Sequence, residues 1–155
     1  MSISMGQLVP DFSAVATGDR IVRLSDLRGQ RLVLYFYPKD NTPGCTVEGQ
    51  QFRDLHERFT GLNTVVFGVS RDSVRSHENF RARQNFPFDL IADSDEALCR
   101  LFDVIKLKKN YGKEALGVER STFLIDENGV LRREWRKVKT DGHAAAVLAA
   151  VEALG

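Results

Sequence analysis

Leu32-Val-Leu-Tyr-Phe-Tyr-Pro-Lys-Asp-Asn-Thr-Pro-Gly-Cys-Thr46 decides how this chain folds. Leu32 to Tyr37 are all apolar or aromatic, and a half-exposed strand would alternate, so the spacing predicts a strand covered on both faces. Pro38 stops it. A short polar loop follows, with Pro43 and Gly44 as turn residues. Phe52, Leu55 and Phe59 then recur at three- to four-residue spacing, which predicts a helix over 46–59 with Cys45 where it begins. The first turn of a helix has free backbone N–H groups and the positive end of the macrodipole, and both favour an anion there. A thiolate is such an anion.

Outward from this stretch the chain alternates strands with helices. Residues 11–24 alternate weakly around Gly18-Asp19, a short hairpin, and Leu24 to Gly29 form a turn or one helical turn. Asn63 to Val69 read as a second buried strand, Ser73 caps a surface helix that Pro87 ends, and Phe88 to Ile91 make a short strand. A helix over 94–102 places Leu98, Leu101 and Phe102 on one face, and Lys106 to Lys113 read as a basic loop. Ser121 to Asp126 form a third buried strand, and Asn128-Gly129 turns it into Val130 to Lys137. An alanine-rich helix over 142–154 closes the chain. This order predicts an α/β fold with a mixed sheet, parallel where helices cross over and antiparallel at the final hairpin.

At 155 residues the length fits one domain, 1–155, with a core that needs no disulfide or metal. With 22 basic and 21 acidic residues the net charge is +1, so no global field points to nucleic acid or an anionic membrane. No apolar run approaches the roughly 20 residues of a membrane span, and Met1 to Pro10 lack the pattern of a signal peptide. The expected location is cytoplasmic. In that reducing compartment the two cysteines, Cys45 and Cys99, are core residues or reactive thiols rather than a disulfide framework.

Cys45 is the candidate for chemistry. An ordinary thiol titrates near 8.5, so only about 3% is ionised at pH 7, and the thiolate is the nucleophile. Lowering a thiol by about 2 units, roughly 2.7 kcal/mol, would ionise most of it. A helix N-terminus and a nearby guanidinium can do this together. Thr42 offers a hydroxyl that both donates and accepts, while Pro38 and Pro43 stiffen the approach. A purely structural core thiol fits poorly, because Thr42-Pro-Gly-Cys-Thr46 is polar and turn-rich.

The signature Pro38-x-x-x-Thr42-x-x-Cys45, the context Thr42-Pro-Gly-Cys-Thr-x-Glu48 and the run Val118-Glu-Arg-Ser-Thr-Phe-Leu-Ile-Asp126 resemble a peroxiredoxin of the Q, or bacterioferritin-comigratory, subfamily. The resemblance covers essentially the whole chain. It implies a thioredoxin-like fold, with a mixed β-sheet flanked by helices and an N-terminal β-hairpin. The implied activity is thiol-dependent reduction of hydrogen peroxide and organic hydroperoxides, an antioxidant function without metal or organic cofactor. Carried over by position, Cys45 is the peroxidatic nucleophile, Thr42 and Pro38 complete its pocket, and Arg120 is the cation beside the thiolate. Glu48 would be a partner for that arginine, or equally an ordinary first-turn acid complementing the helix dipole.

Many members of that subfamily carry a resolving cysteine five positions after the first or in the following helix. Here those positions are Gln50 and Arg81. Cys99 is the one other sulfur that could resolve a sulfenic acid, and a small buried hydrophobe is the better reading of it. A one-cysteine cycle follows, with an external thioredoxin- or glutaredoxin-type thiol as reductant and a monomer or weak homodimer as the expected state. A dithiol oxidoreductase is disfavoured because position 48 is Glu where Cys-x-x-Cys would need a second thiol. A redox sensor or holdase that oxidises once is the competing function. His56, His77 and His143 lack metal-ligand spacing with Cys45, and no phosphate or dinucleotide loop occurs. The lysines of 106–113 read as a solvated rim rather than a nucleic-acid surface.

Overall fold

Ser13–Ala16 (β1) and Arg20–Arg23 (β2) pair antiparallel across Gly18-Asp19, the hairpin expected there. The computed structural model describes residues 2–155, Asn110 through its backbone alone. After a single 3-10 turn at Leu24–Leu27, Arg31–Phe36 (β3) is buried at every position. Two helices follow, Pro43–Asp54 (α1) and His56–Gly61 (α2), where the sequence suggests one. The chain leaves helical geometry at Leu55 (φ −102°, ψ 2°). Phe52 and Phe59 are nonetheless both buried, so the apolar spacing is satisfied by two short helices. The first helix also begins earlier than the apolar spacing suggests. Pro43 occupies its first position, where a missing N–H costs nothing, and this puts Cys45 third in the helix.

Thr64–Ser70 (β4), Val74–Gln84 (α3) and Leu90–Ala92 (β5) come next. Ser73 caps α3 as expected, its side chain accepting from the Ser76 N–H at 3.1 Å. Ala97–Leu101 (α4) is a short helix whose Ala97 N–H donates to Asp95 and whose Leu98 and Cys99 N–H groups donate to Asp93. The basic stretch is not a loop. Ile105–Asn110 (β6) and Lys113–Val118 (β7) form an antiparallel two-stranded sheet of their own. Tyr111 (φ 53°) and Gly112 (φ 77°) supply the two positive φ angles of a tight hairpin turn. Four lysines in 106–113 give the stretch the look of a solvated loop, although Ile105 and Leu107 alternate with Lys106 and Lys108 and face Val118 and Leu116 across the hairpin. Ser121–Ile125 (β8), Leu131–Trp135 (β9) and His143–Ala153 (α5) complete the chain.

The main sheet runs β2-β1-β5-β4-β3-β8-β9. β3 pairs parallel with β4, and β4 with β5, each pair bridged by a helical crossover. The third helical connection behaves differently. β8 enters antiparallel to β3, which corrects the expectation that every helix crossover leaves parallel neighbours. The inserted β6–β7 hairpin lies between α4 and β8 and lets the chain enter the sheet from the other end.

Side chains alternate along β3 and divide the core in two. Leu32, Leu34 and Phe36 face a cluster with Cys99, Phe102 and Phe123. Val33, Tyr35 and Tyr37 face the other, with Cys45, Phe52, Phe59 and Val147. Phe52 stacks on Tyr35 at 4.6 Å, so α1 is seated on the sheet by an aromatic anchor whose truncation to alanine would cost roughly 3–5 kcal/mol. Among the described residues no helix is long and apolar enough to cross a membrane.

Candidate active site

Cys45 lies in the first turn of α1, directly past the C-terminal end of β3, where parallel α/β sheets place their sites. The first intrahelical bond is donated by the Thr46 N–H to the Thr42 carbonyl at 2.9 Å. The N–H groups of Gly44 and Cys45 therefore precede the helical ladder and have no acceptor within it. The Cys45 side chain is 2% exposed.

Arg120 comes from the link between β7 and β8 and reaches this turn over 75 positions of sequence. Its Nη2 lies 3.4 Å from Cys45 Sγ, and its Nη1 donates to Glu48 Oε1 at 2.6 Å. One guanidinium thus spans the thiol and a carboxylate one helical turn away. Gly44 eases the approach, since a Cβ there would stand 3.2 Å from Arg120 Nη2 and the guanidinium would have to shift by a few tenths of an ångström. Burial alone would lower Arg120, but its negative neighbours Glu48 and Cys45 outweigh that and raise it above its ordinary value. Glu48 is fully buried, and burial pushes its carboxyl up to about 7 against the opposing pull of Arg120. Because α1 begins at Pro43, Glu48 lies past its first turn, which with its burial corrects the reading of Glu48 as an ordinary first-turn acid. Beneath it, the buried Tyr35 phenol is raised by desolvation first and then by the charges of Glu48, Cys45 and Asp40.

Thr42 and Pro38 frame the turn, both half-buried. Thr42 donates its hydroxyl proton to the Lys39 carbonyl at 2.7 Å, which leaves its oxygen lone pairs turned to other donors. The loop carrying these residues is pinned from below by Asp40, which the sequence does not single out. Asp40 accepts from the Tyr37 hydroxyl at 2.6 Å and from the Ser76 hydroxyl at 2.8 Å, and lies 2.7 Å from His77 Nδ1. His77 Nε2–H donates to the Ile91 carbonyl at 2.9 Å, and the Asp40 N–H donates to Asp72 at 2.9 Å. Asp40, Asp72 and His77 are close enough together to be considered as metal ligands. Each is already spent on protein partners, and the network ties the loop to β3, β4 and α3. Its one visible sign in the sequence is a polar His77 among the apolar positions of α3.

The two positions at which the resemblance would put a second cysteine, Gln50 and Arg81, are occupied by fixed polar contacts. Gln50 donates to Gln84 Oε1 at 3.0 Å, linking α1 to α3, and Arg81 donates to the Phe88 carbonyl at 3.0 Å. Cys99 lies in the core cluster on the opposite face of the sheet from Cys45. The sheet itself stands between the two thiols, whereas a disulfide needs Cα atoms within about 7 Å. Burial first, and then the carboxylate of Asp93, push the Cys99 thiol well up. His143 is 2.7 Å from Thr122 Oγ1 at the start of α5, and its pKa is lowered to about 4, mainly by burial. It is a neutral packing residue beside Phe52 and Trp135.

The model of the AhpC/TSA family matches residues 5–134. Peroxiredoxin Bcp of Bacillus subtilis is 52% identical over 148 residues, covering 96% of this chain and 94% of the relative. A solved cysteine-to-serine variant of Xylella fastidiosa PrxQ superposes with a TM-score of 0.93 at 45% identity, covering 99% of this chain and 98% of that one. A structure of the Xanthomonas campestris bacterioferritin comigratory protein, described for its alkyl peroxide reduction activity, gives a TM-score of 0.88 at 53% identity, over 92% of this chain and 90% of that one. With a thioredoxin-like mixed sheet and a thiol held by a guanidinium at the first turn of its first long helix, this chain belongs to the AhpC/TSA family as a peroxiredoxin of the Q, or bacterioferritin-comigratory, group.

Proposed function

We propose that Cys45 carries the peroxidase reaction of this peroxiredoxin, with Arg120, Thr42 and Pro38 forming its pocket and no metal or organic cofactor taking part. The observation that supports it is the 3.4 Å approach of Arg120 Nη2 to Cys45 Sγ. The Cys45 thiolate attacks the terminal oxygen of the peroxide. The O–O bond breaks, Cys45 becomes a sulfenic acid, and the other oxygen leaves with a proton as water or alcohol. Negative charge moves from sulfur onto the leaving oxygen during this step. Arg120 and the free N–H groups at the start of α1 are donors already oriented toward that charge, so little reorganisation is needed, and the Thr42 oxygen, its proton given to the Lys39 carbonyl, accepts from the peroxide O–H. Pro38 and the rim of the turn restrict water around the reacting atoms.

A thiol reductant from outside the chain then attacks the sulfenic sulfur, water leaves, and a second thiol releases Cys45. A thioredoxin- or glutaredoxin-type protein is the proposed donor, since Cys99 is on the far side of the sheet and Gln50 and Arg81 carry no sulfur. The chain works as one domain, 1–155, in the cytoplasm, as a monomer or weak homodimer. Intact mass after one equivalent of peroxide, with and without a dimedone-type trap, tests the chemistry. The expected product is a trapped adduct on Cys45, with sustained turnover when a thioredoxin or glutaredoxin system is added. One oxidation without turnover in any thiol system would favour a redox sensor.

A further inference from the structure

We propose that Glu48 is the pH-dependent positioning residue of this site: protonated, it holds the Arg120 guanidinium by a neutral oxygen and leaves its charge to the Cys45 thiolate, and ionised, it takes a share of that charge. The inference rests on Cys45 being the reacting thiol.

Three groups and one positive charge carry the argument. Arg120 is the cation in contact with both Cys45 and Glu48, at 3.4 and 2.6 Å. If both were ionised, two anions would share one cation in a place where Glu48 is 0% and Cys45 2% exposed. Such a buried excess charge is costly, and the site lowers it by keeping one proton. The second oxygen of Glu48 points the same way. Oε1 is taken by Arg120, but Oε2 is buried with no hydrogen-bond partner among the described residues. A full carboxylate would leave half its charge there unanswered, and a neutral carboxyl would not.

The other groups facing the site do not relieve this. From β3, the Tyr35 hydroxyl is buried without a partner among the described residues and its pKa is raised, so it stays neutral. Asp40, before α1, is committed to Tyr37, Ser76 and His77. From α5, His143 is neutral above about pH 4 and adds no charge. From β6, Lys108 is a second cation felt by Arg120 and Cys45, but it is solvent-exposed, with its pKa lowered by partial burial and by Arg120. Burial pushes Glu48 up to about 7, which places its titration in the working range of a neutral compartment.

The test is the second-order rate of Cys45 oxidation by hydrogen peroxide between about pH 5.5 and 9 in wild type and Glu48→Gln, which keeps an oxygen for Arg120 but cannot ionise. The variant-to-wild-type ratio is expected near one below pH 6 and to rise at least about threefold above pH 8, with its midpoint near 7. A flat ratio across the range overturns the proposal. Carboxyl carbon NMR of labelled wild type reads the same group without a variant. One buried carboxyl titrating near 7 and missing from Glu48→Gln supports it, and titration of Glu48 in the ordinary carboxylate range overturns it. The NMR arm does not depend on which thiol reacts, whereas Cys45→Ser with full peroxide turnover would refute the assignment of Cys45 and leave the Glu48 titration standing.

Discussion

Cys45 and Cys99 are matched in most respects that a sequence can express. Each lies near the start of a helix, each is almost completely buried, at 2% and 0% exposure, and each has an acid close by. What separates them is the sign of the nearest charge. Cys45 meets a guanidinium at 3.4 Å, and its acid, Glu48, is occupied by that same guanidinium. At Cys99 the helix start is already filled by an anion: Asp93 accepts from the Leu98 N–H at 3.0 Å and the Cys99 N–H at 2.7 Å. The positive end of the helix is spent on a carboxylate, and a thiolate beside it would be repelled. Burial alone therefore does not separate the two thiols. The cation that arrives from elsewhere in the chain does, and on the proposed chemistry it is what makes Cys45 the reacting one.

The comparison breaks most directly at the thiols. Cys45→Ser is expected to abolish peroxide turnover in any reducing system, measured by NADPH-coupled assay. Turnover surviving in that variant would remove Cys45 from the chemistry. Arg120→Ala takes away the cation that distinguishes the two sites. It should slow peroxide oxidation of Cys45 by at least about tenfold, the equivalent of roughly 1.4 kcal/mol, as read by stopped-flow fluorescence of the single tryptophan, Trp135. An unchanged rate would mean that the guanidinium is a structural contact only.

Thr42→Val sharpens the comparison on the acceptor side, since the Thr42 hydroxyl proton is given to the Lys39 carbonyl. It keeps the shape and removes the hydroxyl, so a several-fold loss of turnover is expected with little change in the thermal midpoint, because the bond lost is a half-exposed one to the Lys39 carbonyl. A larger loss of stability than of activity would assign Thr42 to packing.

Glu48 extends the contrast to stability. The folded state raises its carboxyl from 4.5 to about 7, so between those values the folded chain holds a proton that the unfolded chain has released. Stability from this group is fully present below pH 4.5 and is lost as pH rises through 7. Glu48→Gln removes that loss. Its unfolding free energy should match wild type near pH 4 and exceed it by up to about 3 kcal/mol at pH 8, as measured by urea denaturation. A wild type equally stabilised at both values would show that Arg120 compensates the ionised carboxylate completely. The smallest effect is expected from Cys99→Ser, which should keep peroxide turnover within about twofold when an external thiol is supplied. Loss of turnover together with a Cys45–Cys99 disulfide in non-reducing peptide maps would make Cys99 the resolving residue.

Much of the site could be read before the fold was known, because its signals are local. A six-residue apolar run, a proline that stops it and Pro43-Gly44 before a helical pattern place Cys45 at a helix start whatever the rest of the chain does. The Asn128-Gly129 hairpin and the Ser73 cap are equally local, and both formed where expected. The β6–β7 hairpin was not legible in this way. Ile105 and Leu107 alternate with Lys106 and Lys108, and Leu116 and Val118 stand at alternate positions, but these runs are short, and Leu107 and Leu116 stay exposed because the two strands pair with each other outside the main sheet. The break at Leu55 was hidden for the opposite reason, since Phe52 and Phe59 keep helical spacing across it.

By itself the sequence determined that a thiol would sit in the first turn of a helix behind a buried strand, since backbone propensity and hydrophobic period act over a few residues. Tertiary structure alone decided which charge that thiol meets. Arg120 is 75 positions away, and no local rule brings it to α1. The antiparallel entry of β8 beside β3, and the space left by Gly44, carry the guanidinium there. The same packing buries Glu48 and puts Cys99 behind the sheet, next to Asp93. Electrostatic environment depends on distance and burial, and both are fixed only when the sheet has closed.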